Sequence, residues 1–342
     1  MQLVDLDYPL PTTAIAQHPA EPRDAARLLV DRGPDRPPAH ATVADLPGLV
    51  GPGDLIVVNT TKVLPARLNL RKATGGAAEV LLLERVGEGT WEALVRPGRR
   101  LPPGTRLVPG STPDGGLVVE VGEPVDDDGT RIVRLDVGPG GDELAALDRH
   151  GAMPLPPYIT EPLADPDRYQ TVYADRPGSV AAPTAGLHLT AAVLDGCRDA
   201  GARIAEVELV VGLGTFRPIT AERVEDHQMH AERYRVPDAT LEACAGADRV
   251  VAVGTTAVRA LEAAAATGRR AGRTDLFIRP PWAWRVVDVL LTNFHVPRSS
   301  LLALVEAFVG PRWRDLYAVA LAEGYRFLSF GDAMLLRREG AA

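Results

Sequence analysis

The sequence predicts an α/β fold: a largely parallel-sheet α/β domain with an inserted small antiparallel β-barrel domain. Two observations predict it. Apolar runs ending near Val58, Ala182, Val211, Val253 and Leu291 each pass straight into a polar loop, and helical stretches separate several of them, the alternation that builds parallel sheets. Across residues 68–152 this alternation gives way to short β-like runs broken by Gly, Pro and Asp, at the spacing of a small barrel or sandwich. The expected division is a discontinuous α/β domain of residues 1–67 and 153–342 around a barrel of residues 68–152.

The elements follow in order. Residues 26–30 read as a short strand, 42–50 as a helix capped by Thr42 and stopped by Gly51, and 55–58 as a buried strand entering Asn59-Thr-Thr-Lys62. The barrel runs are 79–85, 91–95, 105–108, 117–121 and 131–137, and a short helix over 142–150 leads back. The connector Gly-Ala-Met-Pro-Leu-Pro-Pro-Tyr-Ile at 151–159 is stiffened by its prolines, which hold Tyr158 in place. Thr190 caps a helix over 191–200 that Gly201 ends, and 203–211 has the β-branched character of a strand. If 180–182 closes a parallel strand, then the loops at 183–188 and 212–217 both lie at carboxyl ends of strands, where open α/β sheets bind ligands. The strand at 249–253 ends in Gly-Thr-Thr, and a helix over 257–266 follows, whose start offers N–H groups to an anion. A strand at 286–291 enters Thr-Asn-Phe-His; Ser299 caps a helix to 309 that Gly310 stops; 313–323 is a helix and 325–330 a last strand.

Composition excludes several function classes. With 342 residues, 46% of them hydrophobic and 24% charged, the chain has the make-up of a soluble globular protein with more than one core. Its net charge of −8 argues against a general nucleic-acid binder, because non-specific phosphate affinity comes mainly from Lys and Arg. Local basic runs remain, among them Arg96, Arg99, Arg100 and Arg106. Cys197 and Cys244 cannot make a disulfide framework, which fits a reducing compartment. The first residues lack a basic stretch followed by an apolar core, and no run approaches the ~18 apolar residues of a membrane span. The chain is expected to be cytoplasmic and free of membranes.

Short motifs narrow the chemistry. His227-Gln-Met-His230 puts two imidazoles on one face if helical, a spacing that with a third ligand would bind zinc, but no His-Glu-x-x-His or Cys-x-x-Cys supports it, so no metal is expected. Gly-Leu-Gly at 212–214 lacks the third glycine of the dinucleotide fingerprint. Neither a phosphate-binding Gly-x-x-x-x-Gly-Lys loop nor a Gly-x-Ser-x-Gly elbow is present.

The same stretches carry a resemblance. They are Ile-Ala-Gln-His-Pro at 15–19, Asn59 with Pro-Ala-Arg at 65–67, Met-Pro-Leu-Pro-Pro-Tyr-Ile at 153–159 and Tyr-Gln-Thr-Val-Tyr at 169–173. Ala-Ala-Pro-Thr-Ala-Gly-Leu-His at 181–188, Val-Gly-Leu-Gly-Thr-Phe-Arg-Pro at 211–218 and His-Gln-Met-His-Ala-Glu at 227–232 continue the series. Val-Gly-Thr-Thr at 253–256, Leu-Thr-Asn-Phe-His at 291–295 and Gly-Asp-Ala-Met at 331–334 complete it. In this order, nearly end to end, they resemble the S-adenosylmethionine:tRNA ribosyltransferase-isomerase family of queuosine biosynthesis. The chain departs from that pattern at Thr60 and Lys62, at Leu189, at Ala257 and at Pro281-Trp282.

The resemblance implies transfer and isomerisation of the ribosyl moiety of S-adenosylmethionine onto 7-aminomethyl-7-deazaguanine at the tRNA wobble position. The products are epoxyqueuosine-tRNA, adenine and methionine. S-adenosylmethionine is then a co-substrate and no cofactor is expected; the partners are that donor and a tRNA anticodon loop, met by a monomer. A paralogue with another acceptor, a non-catalytic RNA-binding module and a metal-dependent hydrolase are the competing readings. A sulfonium acidifies the hydrogens on the adjacent 5′ carbon, so a neutral base can begin the rearrangement. His188, His230 and His295 are the base candidates, His188 first, and Glu232 is expected to orient a histidine. The substrate-binding set is Asn59, Lys62, Arg67, Tyr158, Thr184, Arg217, Thr255, Arg259 and Asn293, with Arg217, Arg259 and the Gly-Thr-Thr helix start as anion partners and Thr184 and Asn293 as hydrogen-bonding groups.

Overall fold

The computed structural model describes residues 1–110, 116–125, 129–212, 219 and 221–340, with the side chain of Arg99 outside that description. The chain forms two compact units, one of Met1–Thr61, Pro156–Asp175 and Ala182–Ala342, the other of Lys62–Leu155 and Arg176–Ala181. The fold class is mixed α/β.

The first unit is built on β1 (Arg27–Val30), β2 (Ala39–Thr42) and β3 (Asp54–Asn59). The connection between β2 and β3 is a 3₁₀ helix, Val43–Leu49, not the α-helix expected there. Pro47 inside it lacks the N–H that an α-helical ladder needs. At its start, the Asp45 carboxylate accepts both the Thr42 N–H and the Thr42 hydroxyl at 2.8 Å.

The second unit takes up β4 (Thr61–Val63), β5 (Arg67–Lys72), β6 (Ala77–Gly87), β7 (Thr90–Arg96), β8 (Arg106–Pro109), β9 (Val118–Pro124) and β10 (Thr130–Asp136). It ends in α1 (Glu143–His150), the short β11 (Gly151–Ala152) and β12 (Arg176–Ser179). Strands β5-β6-β7-β10-β9-β8 pair antiparallel in that order, and β5 pairs back onto β8, closing a six-stranded barrel. Leu68, Leu70, Val80, Val119, Val121 and Val133 fill its interior, each at most 2% exposed. The closing strand β5 has no counterpart among the expected runs. Its Arg-Leu-Asn-Leu-Arg-Lys has two apolar residues, and its outward positions are charged or polar, so it reads as a polar linker until its neighbours are known.

The first unit resumes with α2 (Ala191–Asp199), β13 (Arg203–Leu209), β14 (Glu232–Arg235), α3 (Asp238–Ala245) and β15 (Arg249–Val253). It continues through α4 (Gly254–Thr267), β16 (Ala271–Thr274), β17 (Val289–Asn293), α5 (Ser300–Val309), α6 (Trp313–Ala322) and β18 (Ala333–Arg337). The sheet order is β16-β14-β13-β3-β15-β17-β18-β1-β2. Strands β13, β3, β15 and β17 are neighbours and parallel, and β18 is parallel to β1. The four other pairings, β16–β14, β14–β13, β17–β18 and β1–β2, are antiparallel. The sheet is therefore mixed around a parallel centre, and the expectation of a largely parallel sheet is corrected. The centre was legible because β3 and β17 are buried at every position, the mark of strands covered on both faces.

Two strand assignments change. The run ending near Ala182 does not join the sheet: β12, Arg-Pro-Gly-Ser, pairs with β4 in a two-stranded ribbon, because its Pro and Gly suit an edge and not a central strand. Residues 325–330 are not the last strand either. Tyr325, Phe327 and Phe330 are each at most 2% exposed and anchor an irregular segment, and the next apolar run forms β18. Between them Gly331 allows a turn where a Cβ would come within 2.4 Å of the Arg326 carbonyl oxygen.

Packing is continuous on both faces of the sheet. Ile56, Val58, Val251, Val253 and Leu291 meet Val193, Leu194 and Cys197 of α2 on one side. On the other lies α4, whose residues from Gly254 to Ala264 are all buried and which contacts β13, β3, β15 and β17. Thr190 caps α2 through Val193 N–H, Ser299 caps α5 through Leu302 N–H, and Gly201 ends α2's turn at a φ of 96°.

One buried charge holds the approach to β17. The carboxylate of Glu262 on α4 is 0% exposed and accepts the N–H groups of Arg285, Val286 and Val287 at 3.0–3.3 Å, together with Trp282 Nε1 at 3.3 Å. Replacing Glu262 by Ala strands these donors, so the Glu262→Ala chain should lose roughly 3–5 kcal/mol of unfolding free energy. Urea unfolding measures this; a loss within error of zero would show that water replaces the carboxylate without cost.

Candidate active site

The carboxyl ends of the parallel strands form a cleft within the first unit. Val253 turns directly into α4, so Gly254, Thr255 and Thr256 stand at its floor; β17 delivers Thr292, Asn293 and, just beyond, His295. The 3₁₀ turn Thr184–His188 brings Thr184, and Tyr158, Ser299 and Ser329 complete the polar lining among the described residues. Among the described residues that line it there is no Asp, Glu, Lys or Arg.

A hydrogen-bond relay runs back from the cleft. Thr184 Oγ1 donates to Asn293 Oδ1 at 2.9 Å, and Asn293 Nδ2 donates to His188 Nε2 at 3.0 Å and to the Asp332 carbonyl at 3.3 Å. The Asp332 carbonyl can only accept, which sets the amide orientation, so His188 Nε2 is an acceptor and its proton sits on Nδ1. His188 is 3% exposed and is separated from the cleft by Asn293. Burial, and then the positive charges of Arg326, Arg23 and Arg168, push its pKa down to about 3. Arg23 itself is held by the Gln170, Leu187 and Asp167 carbonyls at 2.7–3.1 Å.

His295 lines the cleft directly. Its Nε2 lies 3.0 Å from Thr292 Oγ1, its backbone N–H donates to Tyr317 Oη at 2.9 Å, and its carbonyl accepts from Tyr8 Oη at 2.5 Å. Burial pushes its pKa to about 3 as well. Tyr158 Oη and Ser329 Oγ are 2.7 Å apart, and burial raises the phenol to about 12. At neutral pH the described lining is thus uncharged.

The remaining expected site residues are placed elsewhere. Asn59 is 0% exposed: its Nδ2 donates to the Leu209 carbonyl at 3.0 Å, and its Oδ1 accepts Leu209 N–H at 3.1 Å and Thr61 N–H at 3.3 Å. Its amide locks β3 to β13 instead of meeting a substrate, because a buried side-chain amide at a strand end completes the backbone ladder. Lys62 is exposed on β4, and Arg67 pairs with Glu79 at 3.0 Å; both belong to the second unit. His230 is exposed and away from the cleft lining. Glu232, expected to orient a histidine, is placed beside Arg259. Only 5% exposed, it pairs with Arg259 and accepts Gly212 N–H at 3.1 Å, because a carboxylate taken from water needs a cation and N–H donors more than a neutral imidazole. Arg259, expected to bind an anion, uses Nη1 for that pair and Nε for the Leu276 carbonyl at 3.3 Å, while its buried Nη2 has no hydrogen-bond partner among the described residues. Arg217 lies outside the described residues. Of the departures from the family pattern, Leu189 and Ala257 are fully buried and Trp282 binds Glu262; none lines the cleft.

Sequence reasoning thus brought Tyr158, Thr184, Thr255, Asn293 and His295 to one place. It missed Thr292, Ser299 and Ser329 as lining residues. Thr292 sits beside a chosen residue in Thr-Asn-Phe-His, so adjacency was the available signal; Ser299 was read only as a helix cap, and Ser329 had no signal.

Comparison with known proteins shows the family. The family described as queuosine biosynthesis protein matches residues 3–336. The chain belongs to that family. It is 54% identical over 338 residues to the S-adenosylmethionine:tRNA ribosyltransferase-isomerase of Rubrobacter xylanophilus, covering 98% of each chain. It is 51% identical over 345 residues to the protein of the same name from Thermus thermophilus, covering 96% of this chain and 98% of that one. Among solved structures it is similar to the S-adenosylmethionine tRNA ribosyltransferase of Thermotoga maritima, with 36% identity, a TM-score of 0.54 and coverage of 97% and 99%.

The depressed histidines predict an acid-sensitive fold. Relative to the ordinary value of 6.5, a folded pKa of about 3 means that the unfolded chain takes up protons that folded His188 and His295 refuse. Their contribution is complete above about 6.5 and is lost as pH falls toward 3. Urea unfolding across this window should show declining stability, and His188→Gln should make the decline shallower; an unchanged slope would mean that His188 titrates normally.

Proposed function

We propose that this chain is an S-adenosylmethionine:tRNA ribosyltransferase-isomerase. It transfers and isomerises the ribosyl part of the donor onto 7-aminomethyl-7-deazaguanine at the tRNA wobble position, yielding epoxyqueuosine-tRNA, adenine and methionine. The observation that carries this reading is near-full-length identity of 51–54% to relatives of that name. The cleft supports it: an uncharged lining with hydroxyl, amide and imidazole groups suits a donor whose own sulfonium already supplies the charge. S-adenosylmethionine is consumed as a co-substrate, with no cofactor, by a cytoplasmic monomer. No described helix is long and apolar enough to cross a membrane.

Of the three histidines, His295 alone lines the cleft, and we assign it the proton abstraction from the 5′ carbon beside the sulfonium. Its low pKa keeps it unprotonated at neutral pH at the cost of proton affinity, which the acidifying sulfonium offsets. His188 acts through Asn293, fixing the amide that holds Thr184. The acceptor loop needs phosphate contacts, and Arg96, Arg100 and Arg106 are exposed on the barrel unit.

The test is incubation with S-adenosylmethionine and tRNA bearing 7-aminomethyl-7-deazaguanine, following adenine release and nucleoside mass. Turnover with that tRNA and none with unmodified tRNA is the expected result. His295→Ala should slow adenine release by about 100-fold or more. Neutralising the three arginines should weaken tRNA binding and flatten its salt dependence. A donor-binding preparation without turnover would refute the activity, and an unimpaired His295→Ala chain would refute the base assignment.

A further inference from the structure

We propose that the first turn of α4 is an oxyanion subsite of the cleft, in which the Thr255 and Thr256 backbone N–H groups and the Thr256 hydroxyl hold a carboxylate or phosphate oxygen of a substrate. The start of this 14-residue helix is uncapped, since the residue at the capping position, Val253, has no side-chain acceptor. Its leading N–H groups therefore lack the partners that a Ser, Thr or Asp would bring, and they carry the positive end of the helix dipole. Gly254 makes the geometry possible. Its φ of 84° turns β15 into α4 without a connecting loop, and a side chain there would be strained.

The second observation is independent of the dipole. Thr256 lines the cleft at 7% exposure, yet its Oγ1 has no hydrogen-bond partner among the described residues. Buried hydroxyls in helices ordinarily bond back to a carbonyl one turn earlier, and an orphan costs free energy. This one lies next to the bare helix end, where an anion would satisfy hydroxyl and N–H groups together. The described lining holds no Lys or Arg, so these dipolar donors would be the anion's partners there.

The subsite itself does not depend on the activity proposed above; the identity of its anion does. On that reading the oxygen comes from the methionine carboxylate of the donor or from a phosphate of the tRNA.

Sulfate titrated by calorimetry into the full-length chain tests the subsite directly. Wild-type protein should bind it, Thr256→Val should weaken binding roughly 10- to 100-fold, and Thr256→Ser should restore it. Because Val removes an unpaired hydroxyl, Thr256→Val should unfold no earlier than wild type; should it fail to fold, Thr256→Ala serves in its place. A second arm compares S-adenosylmethionine, its decarboxylated analogue and tRNA. Loss confined to S-adenosylmethionine assigns the carboxylate, and loss confined to tRNA assigns a phosphate. Sulfate dependence on Thr256 in a chain that shows no turnover would retain the subsite and refute the activity. Absent sulfate binding, or equal weakening of S-adenosylmethionine and its decarboxylated analogue, overturns the proposal.

Discussion

The first unit depends on how β15 becomes α4. At Gly254 the chain leaves the sheet centre with a positive φ and is helical at once, so the helix lies across β13, β3, β15 and β17 while its start opens onto their carboxyl ends. A longer connection would separate the helix start from Asn293 and His295. The same helix carries Arg259, which neutralises Glu232, and Glu262, which gathers the N–H groups leading to β17. One element thus sets the floor of the cleft and tethers two of its walls.

Desolvation then decides the chemistry. His188 and His295 are buried among groups that do not stabilise a proton, so both are neutral hydrogen-bonding groups in the unliganded chain. Three arginines near His188 reinforce this without reaching the cleft, because Arg23, Arg168 and Arg326 are tied to backbone carbonyls. A cationic donor entering such a site meets no fixed cation among the described lining residues and keeps its own charge as the strongest local field.

Rigidity behind His295 comes from aromatic packing. Phe294 stacks on Phe327 at 4.5 Å and meets Tyr317 edge-on at 5.3 Å, while Tyr8 and Tyr317 bond the two backbone groups of His295. The imidazole is placed by its main chain, with Thr292 fixing the ring. This explains why 325–330 remains irregular: its aromatic residues are spent on supporting the β17 loop, and strand pairing passes to β18.

By itself the sequence determined the local elements and the polar loops after them. The apolar runs of β3, β15 and β17, the caps at Thr190 and Ser299, and Gly201 and Gly310 as stops are local signals, because propensity and capping act within a few residues. Thr184, Thr255, Asn293 and His295, chosen from the motifs, line one cleft. Tertiary structure alone decided the sheet's mixed character, the closure of the barrel through β5, and the fate of Asn59, Glu232 and Arg259. Strand direction is set by which edges remain unpaired once the centre has formed. A buried polar side chain likewise bonds whichever partner folding brings beside it, a contact made across 150 residues for Asn59 and Leu209 and therefore beyond any local pattern.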